Sequence, residues 1–138
     1  MYFSSNDSSF YWGHCYEGVE RLMRQAKHKE VQVAVNEQLL FRLRVANTFR
    51  QRLLGWRVRG SCHGMWLLPC RSIHTFGMRI PLDLLWLTAD LTLARLDRQV
   101  TPYRLSRCSS AFSVIELPAG VVPAKVNSIR LVTQGGAP

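Results

Sequence analysis

Hydrophobic positions recur along the chain with two different periods, and the change between them divides it. From Tyr16 to Lys29, Val19, Leu22, Met23 and Ala26 fall at helical spacing among charged residues, which predicts one short amphipathic helix. From Val31 the period becomes two. Val31, Val33 and Val35 alternate with Gln32 and Ala34, Asn36-Glu37-Gln38 offers a turn, and Leu39, Phe41, Leu43 and Val45 alternate with Leu40, Arg42 and Arg44. These two stretches predict a hairpin, half-buried, with a basic outer face.

Beyond the hairpin, Asn47 or Thr48 can cap a short helix, FRQRLLGW, with Phe49, Leu53 and Trp56 on one face and Gly55 at its end. A short strand comes next near Gly64 to Leu68, then a loop from Pro69 to Pro81. Leu82 to Thr88 is too continuously apolar to have a wet face and reads as a buried strand. Leu91, Leu93 and Arg95 alternate with Thr92, Ala94 and Leu96, and Pro102 ends any strand there. Ser106 to Ser110 is a polar loop, Ala111 to Leu117 a strand stopped by Pro118-Ala119-Gly120, and Ser128 to Thr133 a last strand. Six or seven short strands with one helix predict a mainly β fold, a compact sandwich or barrel. The predicted organisation is a tail with a short helix over residues 1–30, one β-rich domain over 31–133 and a tail over 134–138. The first 28 or so residues are expected to be dispensable for folding, because their composition and period differ from those of the β-rich domain.

At 138 residues the chain is long enough for one core and too short for two. No apolar run approaches the roughly 18–20 residues of a membrane-spanning helix, and the N-terminus lacks the basic cluster and apolar run of a secretory signal, so a cytoplasmic location is expected. Four widely spaced cysteines (Cys15, Cys62, Cys70, Cys108) without a CxxC pair suit reduced thiols better than a disulfide framework. The formal charge of +9 changes the picture more. Residues 1–30 hold four basic and four acidic residues, so of the 18 and 9 in the whole chain, 14 and 5 remain from Val31 onward, and only Lys125 of those 14 is not Arg. An Arg-rich surface suits nucleic acid or an acidic protein partner, but with no recognition-helix pattern or aromatic-interleaved basic run beside the charge, the composition favours a solvated surface whose Arg content reflects codon usage.

Several stretches in order resemble a known family: Ala46, Thr48, Arg52 and Gly55 in VANTFRQRLLG, GMWL at Gly64 to Leu67, IPLDLLWL at Ile80 to Leu87, and VIELPAG at Val114 to Gly120. Over roughly Val31 to Leu131 the chain resembles the uncharacterised prokaryotic family called domain of unknown function 192. The variant Cys-x-Ser-Ile-His-Thr-x-x-Met ahead of Pro-Leu-Asp looks like a branch of it. The chain departs from the family pattern at Trp56-Arg57, at Asp90-Leu91 where an Asp-Gly hairpin tip is usual, and in lacking a closing Gly-Asp element. The resemblance implies an all-β, jelly-roll-like single domain with no established activity.

The candidate chemistry centres on Cys70, His74 and Met78, at i, i+4 and i+8. All three are soft or borderline ligands suited to Cu(I) or Zn(II). In an extended strand such neighbours stand ~13 Å apart, and only a looped or helical path brings them near ~6 Å. The structural alternative makes Cys70 and Met78 core filler and has His74 hold a backbone carbonyl. Cys62-His63 offers a second thiol and imidazole, of which a strand would aim one at any shared site. A thiol nucleophile at Cys70 or Cys62 with His74, oriented by Asp83 or Glu116, is a further arrangement. Asp83 and Glu116 are acids within apolar strands, so each needs a partner such as Arg52, Arg79 or a run of backbone amides. The candidate pocket is therefore Cys70, His74, Met78, Asp83, Glu116 and Arg52, with Cys70 and His74 as the metal ligands of the Zn or Cu alternative. Nucleotide-binding loops, zinc-finger spacings, serine-hydrolase elbows and kinase motifs are absent from the sequence. The residues favour a ligand- or protein-binding accessory module over a metal-dependent or thiol enzyme, with nucleic-acid binding through the Arg-rich surface as a third reading.

Overall fold

The computed structural model describes residues 20–24, 30–46 and 63–132. The protein is mainly β. Among the described residues nine strands run in order: β1 (Glu30–Val35), β2 (Leu39–Ala46), β3 (Gly64–Leu67), β4 (Ser72–His74), β5 (Leu82–Leu87), β6 (Leu93–Val100), β7 (Leu105–Arg107), β8 (Ser113–Pro118) and β9 (Ile129–Val132). Seven form one curled sheet in the order β6-β5-β8-β3-β2-β1-β9, and β4 with β7 forms a second sheet of two strands. The pairings of these strands are antiparallel except that of β2 with β3. The helix proposed at FRQRLLGW lies outside the described residues.

Alternation along the central strands gives the sheet two apolar faces. Val33, Leu43, Trp66, Leu85, Ile115 and Leu117 line one, where all seven strands of the large sheet contribute to a single cluster. Met65, Leu67, Leu84, Trp86 and Val114 line the other, together with Cys70, Ile73 and Cys108 from around the two-stranded sheet. Strand β5 is buried along its whole length because it lies between these two clusters, as its unbroken apolar reading requires. Residues 20–24 are helical, and Leu22 is 3% exposed within the first cluster. That burial draws this turn of the N-terminal region into the core and counts against its being dispensable.

Local chemistry accounts for the joints. At the β1–β2 tip Asn36 and Glu37 take left-handed backbone angles, φ 52° and 61°. Asn36 Oδ1 accepts from the Asn127 and Ser128 amides and its Nδ2 donates to the Lys125 carbonyl, so the hairpin tip also clamps the segment entering β9. At Asp90-Leu91, Leu91 adopts φ 65° without the glycine usual there. The Asp90 carboxylate accepts from the Thr88 hydroxyl and the Thr92 amide, and Leu91 packs against the first cluster, which offsets the steric cost. Gly64 is required by close approach: an added Cβ would meet the Glu116 carbonyl and lie 2.6 Å from Leu117 Cδ2.

Nine strands exceed the six or seven read from the sequence. The additional two are β4, inside the stretch read as a loop from Pro69 to Pro81, and β7, overlapping the polar loop read at Ser106 to Ser110. The last strand pairs with β1, from Val35↔Ile129 to Gln32↔Val132.

Candidate functional site

Strands β4 and β7 pair in the register Ser72↔Arg107, Ile73↔Ser106 and His74↔Leu105. Ile73 is buried in the second cluster, so Ser72 and His74 face away from it, as do Leu105 and Arg107 across the pair. The small sheet thus lies over the second face of the large one. Polar ties hold it there. Ser106 Oγ donates to Asp97 Oδ2 at 2.8 Å, and the same carboxylate accepts from Trp86 Nε1 at 3.0 Å and from the Arg95 fork through Nε and Nη2 at 2.8 and 2.9 Å. The Arg95 guanidinium also sits 5.6 Å from the centre of the Trp86 ring. Burial pushes the Asp97 carboxyl upward, but donation from Ser106, Arg95 and Trp86 outweighs it and holds the group below the usual carboxylate value of 3.8.

Thr75 ties the two connections beyond these strands together. Its buried Oγ1 donates to the Thr101 carbonyl at 2.8 Å and accepts from the Arg104 amide at 2.8 Å. Its amide donates to the Arg104 carbonyl, and its own carbonyl accepts from the amides of Met78 and Tyr103. This knot brings Tyr103 beside a pair of rings from the other segment: His74 and Phe76 stack with centroids 5.2 Å apart at 26°, and Phe76 meets Tyr103 at 6.1 Å and 44°. Phe76 is 51% exposed, Tyr103 73% and Leu105 78%. Tyr103 holds φ 63°, a region that a bulky side chain enters only where its surroundings force it. The hydrogen bond that its amide donates to the Thr75 carbonyl holds the backbone there; nothing in the core requires a tyrosine at that position.

Of the residues singled out from the sequence, the described ones divide between the faces: Cys70, Met78 and Glu116 lie on the second face, Asp83 on the first and His74 outward on β4. Cys70 is buried in the second cluster, with its thiol donating to the Ser72 carbonyl at 3.2 Å, and Met78 packs against the same cluster. His74 is on the opposite, outward side of β4, against Phe76. Glu116 is buried on the second face, at 6% exposure, beside Met65 and Leu84 in register. Arg52 and Cys62 lie outside the described residues. His63 extends the β2–β3 pairing: its amide donates to the Arg42 carbonyl and its Nδ1 accepts from the Arg42 amide at 2.8 Å, so the ring serves the backbone. Among the described residues no group of three or more His, Cys, Asp or Glu side chains could hold a metal ion.

Asp83 has a structural partner set on the first face. Between Leu82↔Val100 and Leu84↔Asp97 the register of β6 against β5 slips, so that Arg98 and Gln99 both stand opposite Asp83. A bulge leaves an amide without a ladder partner, and the Asp83 side chain takes it: Gln99 N donates to Oδ1 at 2.9 Å, with Gln99 at φ 51°. Oδ2 accepts from Gly120 N at 3.2 Å, and Arg98 Nη1 lies 3.9 Å away. Gly120 reaches this position at φ 94°, and Ala119 N donates to the Pro81 carbonyl at 3.1 Å. The Pro-Leu-Asp and Leu-Pro-Ala-Gly stretches are therefore two halves of one tie.

Fold and site together define a small, mainly β protein in which buried Asp83 ties β5 to the β6 bulge and the Gly120 turn and whose rings face outward beside a two-stranded flap. Residues 31–127 match the family domain of unknown function 192, DUF192, described as "Uncharacterized ACR", and the chain belongs to that family. No curated protein matches it. Two solved structures share the fold. One is a protein of unknown function from Novosphingobium aromaticivorans DSM 12444, 21% identical, with a TM-score of 0.61 over 73% of this chain and 84% of that one. The other is described as a putative transcription regulator from Sinorhizobium meliloti 1021, 20% identical, with a TM-score of 0.54 over 66% and 80%.

Proposed function

We propose that the domain is a binding module and that its contact surface is the outward face of β4–β7 with Phe76 and Tyr103. The observation that carries this reading is Tyr103, a bulky ring held at φ 63° and 73% exposed on a loop fixed by Thr75. Strain combined with an exposed aromatic stabilises nothing in the fold, and such positions concentrate where a rigid frame presents side chains to a partner. The placement of Cys70 and His74 on opposite sides of β4 supports the module over a thiol or metal enzyme built on that pair. A cytoplasmic setting fits Cys70 and Cys108, both buried outside any disulfide. No helix among the described residues is long and apolar enough to cross a membrane.

Amide chemical-shift mapping with a panel of nucleoside monophosphates, short acidic peptides, sugars and indole tests the surface. Shifts are expected to cluster over residues 72–79 and 103–107. The variant Phe76→Ala/Tyr103→Ala should abolish them while moving stability by no more than about 0.5 kcal/mol per position, as exposed sites do. A panel that leaves this face silent overturns the reading. So would stoichiometric zinc or copper lost in His74→Ala, or rapid alkylation of Cys70 in the folded protein at neutral pH.

A further inference from the structure

Resting on the reading of this face as the contact surface, we infer that its ligand is single-stranded nucleic acid. The two segments that build the face, residues 71–81 and 101–110, contain Arg71, Arg79, Arg104 and Arg107 and no Asp or Glu. Arg107 shares the outward side of β7 with Leu105, and Arg104 comes directly after Tyr103. Asp97, the acid that reaches this flap from β6, faces inward and is occupied by Arg95, Ser106 and Trp86. No acid within these segments offsets the four arginines, of which Arg71 also donates through Nε to the Ala111 carbonyl at 3.1 Å, and this net positive charge suits an anionic partner.

The rings narrow the choice. His74, Phe76 and Tyr103 stand one after another, with centroid spacings of 5.2 and 6.1 Å. An acidic peptide would engage the guanidinium groups and gain little from this row. A duplex would offer its phosphates but keep its base faces stacked inside. A single strand offers both at once, because each phosphate is followed by a base with a free π-face, and base stacking on aromatic side chains tolerates any sequence. Leu105, directly paired with His74, adds apolar area beside the rings.

Fluorescence anisotropy of the full chain with labelled twelve-nucleotide oligo(dT) and oligo(U), a mixed-sequence duplex and an oligoglutamate competitor tests this assignment. Both single strands are expected to bind at least tenfold more tightly than the duplex. With about four phosphates neutralised, log affinity should fall against log salt with a slope of about −2 to −3. Phe76→Ala and Tyr103→Ala should each weaken binding roughly tenfold, as loss of a stacked base requires. Arg104→Ala/Arg107→Ala should flatten the slope by roughly 1.4, at about 0.7 for each phosphate no longer neutralised. Arg42→Ala, remote on β2, should change affinity less than about twofold. Preference between the two single strands distinguishes DNA from RNA. If no oligonucleotide binds while the small-molecule panel still shifts the face, the ligand assignment fails and the surface stands. If oligonucleotides bind equally well to the ring variants, the surface itself fails. Equal affinity for duplex, or displacement by oligoglutamate at lower concentration than by oligonucleotide, overturns the single-strand assignment.

Discussion

Replacing Asp83 by Asn tests the tie between β5, the β6 bulge and the turn at Gly120. The side chain is 1% exposed, so no water can take over its bonds without local opening. As carboxylate it accepts from Gln99 N at 2.9 Å and from Gly120 N at 3.2 Å, with Arg98 Nη1 at 3.9 Å. Asn keeps the shape and one acceptor. Whichever way its amide is turned, NH2 then faces a backbone N–H, so one buried amide loses its acceptor and a second donor is buried against it. An unmade buried hydrogen bond costs about 1–3 kcal/mol, and a bond to a charged acceptor more than one to a neutral acceptor, so the expected loss is about 2–4 kcal/mol. The ion pair adds little at that distance and with Arg98 partly exposed, roughly 0.2–1 kcal/mol. Arg98 also donates to the carbonyls of Val122, Pro123 and Ala124, so its own removal acts mainly there.

Urea denaturation followed by tryptophan fluorescence reads the effect, because Trp66 and Trp86 are both fully buried. With an m-value of about 2 kcal/mol/M, a loss of ~3 kcal/mol moves the midpoint down by about 1.5 M. In the cycle of Asp83→Asn with Arg98→Met, a coupling below about 1 kcal/mol is expected, since backbone amides carry the interaction. An Asp83→Asn midpoint within about 0.3 M of the parent would refute the reasoning. So would a coupling to Arg98 that accounts for the whole loss.

Asp97 gives an acid limb with a definite sign: its carboxyl is held below 3.8 in the fold, so it stabilises above the unfolded value and the contribution is lost as pH falls through the lower folded one. Stability measured from pH 7 downward should drop below pH ~4, and Asp97→Asn should flatten that limb; an unchanged limb removes Asp97 as its source. Glu116 is proposed to tie to Arg52, and Glu116→Ala should then cost ~3 kcal/mol or more by leaving a cation without its partner. An unmoved denaturation midpoint rules that tie out.

The parts of the fold legible in the sequence are those where one physical cause dominates a run of residues. Alternation gave β1 and β2 because one side of each packs on the core, and an unbroken apolar run gave β5 because both sides do. Strands β4 and β7 escaped because each has three residues and a single inward side chain, Ile73 and Ser106, too few to show a period. The need of Asp83 for backbone amides was legible from an acid in an apolar strand. Its donors were not, since Gln99 reaches it only through a register slip that no local pattern encodes. Regular extended spacing would set Cys70 and His74 on one side. The chain instead bends ahead of Ser72, where Cys70 N bonds the Phe112 carbonyl, and the relation is lost. The ring row was missed for a different reason: Phe76 and Tyr103 are 27 positions apart and meet only because Thr75 bonds across both segments.

These ties separate scaffold from surface. Gly64 is fixed by the β8 backbone, Asp83 by the bulge, and Gly120 by the turn that reaches Asp83; each belongs to a stretch that carries the family resemblance, and each is spent on closing the sheet. Tyr103 and Leu105 belong to none of those stretches, Phe76 fills an unspecified position of the Cys70–Met78 variant, and a polar residue at any of the three would leave both apolar clusters as they are. The closing ties constrain how the sheet folds, and substitutions at Phe76, Tyr103 or Leu105 leave those ties intact. Relatives with the same scaffold and different residues at these positions are therefore expected to bind different ligands, and transplanting Phe76, Tyr103, Arg104 and Leu105 between two such domains should carry the preference with it. A preference that instead stayed with the recipient scaffold would place recognition elsewhere on the sheet.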